Sequence, residues 1–479
     1  MGPERVPPGL TSYLPGIIFK AKLLSVILLT KKSRPPQYTC GNSDRKNDSN
    51  SDAVIPFDGF ENSLLNLNSF LIINSLRYPS RFQRGISILR HPAKSSKLSP
   101  SFGIAVAGMF AMAAGMGIGR FVYTPILPFM ESGLALSKTE SGLIASMNFA
   151  GYLLGAWAAT RQSSRRSRRY WLLSSLIVSS FTTAAMAFTS SVPIFLILRF
   201  FGGVGSAYML VFGSALILDS LAQQKKLALS AIHFAGVGLG ISFSAIVVAG
   251  LAKVGFGWRG FWLASGFLST ILTIMVYILI PSDKSSSGSS LLRTPAIFDR
   301  RLISLIAAYG LFGFGYVITA TFLSVLVRAS PNLAPVEPYI WLIFGLAAIP
   351  SVAIWTSLAE KIGSHRSFAV ACLVQGIGVS ASVLIDEIFS VVLTAILLGG
   401  TFMGITALGF MEARRLTKSD PRIILGYMTL AFGTGQMIGP TLAGLAYGID
   451  NSFYYPSLLA ALCLILAAWL STNPGTVDP

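Results

Sequence analysis

Two arginines lie deep in apolar sequence. Arg120 sits in GMGIGRFVYTPILPFM, residues 115–130, and is the one charge between Lys97 and Glu131. Arg199 sits in LILRFFGGVGSA, residues 196–207. A guanidinium presents a planar fork that holds a carboxylate through two parallel hydrogen bonds, so such residues suit an anionic or carboxylate-bearing solute. Tyr123, Thr124, Tyr208, Tyr316, Thr319 and Thr321 offer neutral hydrogen bonds on neighbouring stretches. His233, beside AGVGLG, has the pKa range of a proton switch. Each residue also has an ordinary reading. Arginines snorkel to an interface or bond backbone carbonyls freed by prolines such as Pro125 and Pro128. A lone histidine often bonds a neighbouring helix, and Tyr and Thr are routine in helix contacts. Cys40, Cys372 and Cys463 have no paired spacing, and the histidines are only His91, His233 and His365. Neither a metal site nor a cofactor is expected.

The elements that hold these residues follow from composition. Of 479 residues, 53% are hydrophobic and 12% charged, against roughly 25% charged in soluble domains. The mean hydropathy is +0.65. Such a chain belongs in lipid. Twelve apolar stretches, about 102–130, 139–160, 170–190, 193–218, 227–252, 259–281, 302–327, 338–359, 367–385, 388–411, 422–447 and 453–471, are each long enough for a spanning helix. Helices satisfy their backbone internally, as hydrocarbon demands. The net charge of +18 fits a membrane surface better than nucleic acid, because the breaks after even-numbered stretches hold 17 Lys/Arg and those after odd-numbered ones four. The positive-inside rule then puts the even breaks and both termini in the cytoplasm. No carboxylate falls in mid-membrane: Glu131, Asp219, Asp386, Glu387 and Glu412 lie near helix ends.

Residues 1–100 differ, being rich in Asn, Ser, Pro, Lys and Arg, and read as a largely disordered extension. LLSVILLT, residues 23–30, is too short to span. A tail, a targeting segment and an over-extended start all remain open. Beyond it the expected units are a first six-helix half at 101–281, a cytoplasmic linker at 282–301, a second half at 302–471 and a tail at 472–479. A shift of 196 or 197 residues aligns GIGR at 117 with GFGY at 313, GGVGS at 202 with GGTFMG at 399, GVGLG at 236 with GTGQM at 433, and Arg165 with Lys361. The halves therefore read as parallel repeats. Their partners under that shift, Tyr316 for Arg120 and Ile396 for Arg199, make the buried charge one-sided.

Several motifs resemble the major facilitator superfamily. SLAEKIGSHR, residues 357–366, resembles its cytoplasmic loop motif, with Glu360 as the acid, Lys361 and Arg366 as bases and Gly363 as the turn glycine. RQSSRRSRR, residues 161–169, keeps the bases and lacks the acid. GQMIGPTLAG, residues 435–444, resembles a Gly-x-x-x-Gly-Pro motif. GIGRFVYTPILPFM, HFAGVGLGIS, GGTFMGITALGF and AFGTGQMIGPTLAG together look like the YbfB/YjiJ branch, over about 101–471.

The resemblance implies an all-α integral membrane protein of the major facilitator fold. It implies a multipass plasma-membrane (in a bacterium, inner-membrane) permease that moves a small solute by alternating access, with a cavity lined by helices 1, 4, 7 and 10. On that cavity Arg120, Arg199, Tyr123, Thr124, Tyr316 and Thr319 are the expected solute contacts, and His233 the expected coupling site if protons drive the cycle. Asp219 and Glu412, beside basic loops at 161–169 and 361–366, are expected to latch and release with Glu360, Lys361 and Arg366. The alternative is interfacial ion pairing worth about 0–1 kcal/mol. Asn148 and Gln436 read as polar glue between helices. No Walker-type phosphate loop and no His-rich cluster is present, and from Ser101 onward there is no Asp-x-x-x-Asp run, so neither ATP-driven pumping nor membrane enzymology is expected. A monomer in the lipid bilayer, with a small-molecule substrate and no nucleic acid, is the expected state. A transport-inactive sensor or scaffold on the same fold is the competing reading.

Overall fold

The computed structural model describes residues 100–161, 167–280, 298–416 and 421–472. The N-terminal extension, Arg165 and Arg166, nearly all of the linker and the C-terminal tail lie outside the described residues. Within them, twelve helical segments follow one another: α1 (Pro100–Leu134), α2 (Lys138–Arg161), α3 (Arg168–Phe188), α4 (Val192–Gln223), α5 (Ser230–Lys253) and α6 (Trp258–Leu279). Then come α7 (Arg300–Ala329), α8 (Ala334–Ala348 with Ser351–Ile362), α9 (Ser364–Leu384), α10 (Ile388–Leu416), α11 (Pro421–Asp450) and α12 (Tyr454–Thr472). Ten of the described helices are long and apolar enough to cross a membrane, and α8, bent by 42°, makes an eleventh. The bend falls at Pro350, which cannot donate to the helix ladder. α11 spans 30 residues but is diluted by Gln436 and a series of glycines. Polar or charged residues such as Lys138 and Arg328 fall inside helix ends, so several helices outrun the apolar stretches.

Burial separates central helices from peripheral ones. In the apolar windows, 72% of α1 and 78% of α7 is buried, against 39% of α6 and α12. Phe181 on α3, Phe267 on α6, Ile377 on α9 and Leu462 on α12 project outward, as lipid-facing side chains do. Within the first half, α1 packs on α5 and α2 on α4; within the second, α7 packs on α11 and α8 on α10. Between halves, α2 meets α11, α5 meets α8 and α1 meets α7. Small residues permit this closeness. A Cβ on Gly203 of α4 would sit 2.0 Å from the Asn148 carbonyl oxygen of α2. One on Gly399 of α10 would sit 2.2 Å from that of Phe344 of α8. Both members of the second pair are 196 residues beyond those of the first, the offset at which the sequence motifs align.

Helix α1 is not regular. Residues Ala113–Ile118 form a π-helical turn, and α-geometry resumes at Tyr123. Gly115, Gly117 and Gly119 remove side chains from this stretch, and Pro125 and Pro128 remove donors beyond it. The Thr124 amide reaches Phe121 instead of Arg120, so the Arg120 carbonyl has no helical partner. A second π-turn, Met209–Gly213, interrupts α4. Such single turns gather at functional sites.

Candidate functional site

Arg199 meets the irregular backbone of α1. Its Nη1 donates to the Gly119 carbonyl at 3.3 Å and its Nη2 to the Arg120 carbonyl at 3.2 Å. The Tyr123 ring lies 5.0 Å from its guanidinium carbon. Asn148 Nδ2 donates to the Arg199 carbonyl at 3.0 Å, tying α2 to α4. The two arginines are thus at similar depth, but Arg199 is not among the residues that line the central cavity.

Arg120 does line it. The residue is 3% exposed, and its guanidinium carbon lies 4.1 Å from the Tyr152 ring centroid and 4.7 Å from that of Phe149. Nη2 donates to Gln436 Oε1 on α11, and Gln436 Nε2 donates to the Tyr316 hydroxyl on α7. Nε is buried without a partner. The ion pairs among the described residues are Lys138–Glu131, Arg168–Asp219, Arg328–Glu337 and Arg415–Glu412. None involves Arg120 or Arg199. A cation in the bilayer interior costs about 2.5–3.5 kcal/mol on insertion scales. Here it is met by aromatic faces and an amide, not by a carboxylate.

The cavity around it holds about 70 Å³. Its walls are chiefly aromatic: Tyr152, Tyr309, Tyr316, Phe402, Phe410 and Phe432. Tyr316 stacks on Phe432 at 5.9 Å and 9°, and on Phe402 at 5.7 Å and 19°. The sequence reading found Tyr316 and missed the rest of this wall. The signal was available in helical spacing: Tyr309, Phe312 and Tyr316 share one face of α7, and Phe402, Thr406 and Phe410 one face of α10. An empty space near 150 Å³ takes benzene, so an aromatic solute enters only if the halves part.

None of the other expected contacts lines the cavity. Thr124 Oγ1 donates to the Ala320 carbonyl across the halves at 2.8 Å, and the Tyr123 hydroxyl donates to the Ser141 carbonyl at 2.9 Å. Thr319 Oγ1 is buried without a partner and Thr321 is buried. Tyr208 makes tilted ring contacts with Trp171 and Phe212, at 5.4 and 5.6 Å, and does not line the cavity. His233 packs near the start of α5, with Nε2 3.0 Å from Ser214 Oγ. A Cβ on Gly108 would lie 2.5 Å from its Nδ1. It does not line the cavity.

At the loop ends, Asp219 pairs with Arg168 at 2.5 Å, inside the basic segment expected to hold it. Glu412 departs from expectation. It takes the Ser364 hydroxyl and, at 3.5 Å, its own helix neighbour Arg415. Glu360, Lys361 and Arg366 are exposed and make no ion pair among the described residues. Gly363 ends α8 at φ 88°, a conformation that favours glycine, as the loop motif requires. Since Asp219 and Arg168 are solvent-accessible, Asp219→Asn is expected to change folding stability by less than about 1 kcal/mol. Thermal melts of the purified variant check this.

The opposite end carries contacts that the sequence did not reveal. Arg328 of α7 lies 3.8 Å over the Phe129 ring of α1, and Lys138 of α2 lies 5.6 Å from the Tyr447 ring of α11. Each cation crosses from one half to the other while pairing within its own, Arg328 with Glu337 at 2.9 Å and Lys138 with Glu131 at 2.5 Å. Thr139 Oγ1 reaches the Gly444 carbonyl and Thr441 Oγ1 reaches Ser146. This end ties the halves together.

The family described as "Uncharacterised MFS-type transporter YbfB" matches residues 112–472. The chain belongs to that family. The MFS-type transporter YtbD of Bacillus subtilis is 23% identical over 385 residues, covering 76% of this transporter and 94% of that one. The gentisate transporter of Corynebacterium glutamicum is 24% identical over 374 residues, covering 73% and 83%. The crystal structure of the nucleoside transporter NupG superposes with a TM-score of 0.61 at 10% identity, over 78% of this chain and 99% of that one. That likeness shows the fold. This MFS-type transporter is a multi-pass membrane protein that moves small molecules, and its family and relatives are transporters rather than enzymes.

Proposed function

We propose that this transporter carries a small organic carboxylate, with an aromatic ring preferred, across the plasma membrane by alternating access. The observation that carries the reading is Arg120, a buried guanidinium with no carboxylate partner among the described residues, set in an aromatic wall. Its fork suits the carboxylate and the stacked rings suit a planar body. Relatives point the same way: they include proteins named gentisate transporter, 4-hydroxybenzoate transporter of Acinetobacter baylyi and putative tartrate transporter of Agrobacterium vitis.

Arg199 has a different part in this reading. It holds the irregular turn of α1 so that Arg120 points inward. The excess of Lys/Arg after even-numbered helices supports cytoplasmic termini. The tied end then faces outward, and the protein works as a monomer in the bilayer. Proton coupling through His233 draws no support from its position, since the histidine is bonded to Ser214 apart from the cavity.

Counterflow in proteoliposomes tests the cargo. Labelled 4-hydroxybenzoate outside is expected to accumulate against unlabelled 4-hydroxybenzoate inside, with the neutral 4-hydroxybenzamide failing to compete. Equal competition by the amide overturns the anion reading. Absence of counterflow with every carboxylate tried favours a scaffold.

A further inference from the structure

Gln436 has two polar ends, and both are used. Oε1 accepts from Arg120 Nη2, and Nε2 donates to Tyr316. The side chain is wholly buried. Its amide oxygen occupies the branch of the fork that a carboxylate oxygen would take. Arg120 belongs to the first half, and Gln436 and Tyr316 to the second. This chain of bonds therefore joins the halves at the level of the cavity, between the tied end and the loop ends whose ion pairs stay within each half.

A bare guanidinium resists enclosure. It needs acceptors, and each one lost in an apolar cavity is costly. A carrier that returns without cargo must close around Arg120 with no anion aboard. A neutral amide oxygen suits that task. Here it accepts one hydrogen bond from Arg120 and carries no charge, whereas a carboxylate offers two charge-assisted ones, so an arriving solute displaces it. A glutamate would be held too tightly to yield.

We propose that Gln436 is an internal stand-in for the solute's carboxylate. It caps Arg120 when no solute is bound and so lets the unloaded carrier reorient. The proposal rests on the carboxylate reading above and adds the residue that decides between one-way transport and exchange. Loaded carriers need no cap, because the solute supplies the acceptors. Loss of the cap therefore slows unloaded return far more than exchange.

The test uses full-length protein in proteoliposomes with 4-hydroxybenzoate as probe. Net efflux into solute-free buffer is compared with exchange against external 4-hydroxybenzoate. For Gln436→Leu the ratio of exchange to net efflux is expected to rise about ten-fold, the equivalent of about 1.4 kcal/mol against unloaded return. Gln436→Glu is expected to lose both modes and to melt higher than wild type. Equal scaling of both modes in Gln436→Leu, or loss of both, overturns the proposal. A melting cycle needs no solute: Gln436→Leu should lower the melting temperature further in the wild-type background than in an Arg120→Leu background, where only its bond to Tyr316 remains to be lost. Equal shifts in both backgrounds also overturn it. If wild-type protein carries no carboxylate, the cargo reading fails, while the cap is still judged by the melting cycle.

Discussion

Arg120→Ala is expected to reduce carboxylate transport by about 100-fold, since removing one partner of a buried charged contact costs about 2–5 kcal/mol and each 1.4 kcal/mol is tenfold. Its effect on stability should be far smaller. The insertion cost of the charge is set against three cation–π contacts and the Gln436 bond. The cost is about 2.5–3.5 kcal/mol, and it opposes contacts worth about 0.5–2 kcal/mol per ring and about 1.5–3 kcal/mol for the hydrogen bond. Arg120→Lys keeps the charge and loses the fork, so KM should rise more than kcat falls. Arg199→Ala should behave in the opposite sense. It strips two carbonyls of α1 of their donors, at about 1–3 kcal/mol each, so the yield of folded protein falls first. Uptake normalised to monodisperse protein separates the two outcomes. Undiminished transport by Arg120→Ala refutes its role, and a folded Arg199→Ala with raised KM alone moves that arginine into the solute site.

This division of labour was only half legible beforehand. Arg120 stands out in sequence because a charge in a long apolar stretch is an anomaly that needs a cause. Its partners do not stand out. Gln436 lies 316 residues away, and a glutamine in a glycine-rich helix reads equally well as glue. The aromatic wall is hidden by abundance, since 11% of the chain is aromatic and lipid-facing rings look the same in sequence as cavity-facing ones. Helix number was readable because bilayer thickness fixes a length and apolar runs reveal it. The π-turns of α1 and α4 were not, because glycines permit an irregular turn without dictating one. The loop acids show the same limit. Asp219 found its partner in a basic loop, whereas Glu412 found a hydroxyl and a neighbour one turn away. Local charge patterns narrow the choice of partners without fixing it.

The repeated glycine contacts lead to the second large effect, because identical clashes should differ in consequence according to where they fall. A Cβ on Gly203 meets the Asn148 carbonyl at 2.0 Å, inside the first half. A Cβ on Gly142 of α2 meets the Pro440 carbonyl of α11 at 2.3 Å, between halves and at the tied end. In both cases the obstacle is backbone, which cannot step aside as a side chain can. Rocking relieves only the second clash. Gly203→Leu is therefore expected to prevent folding, with little monodisperse protein recovered. Gly142→Leu is expected to fold, with the tied end propped apart. Transport should fall at least about ten-fold, on the scale of the 1–3 kcal/mol that overpacking costs. A cysteine introduced at Ser132, beside Arg328 and Tyr447 in the cleft at that end, should label faster with a membrane-impermeant maleimide in the Gly142→Leu background. Slower or unchanged labelling would mean that this seam does not open during the cycle, and Arg328 over Phe129 and Lys138 near Tyr447 would then be fixed struts rather than contacts that break and reform.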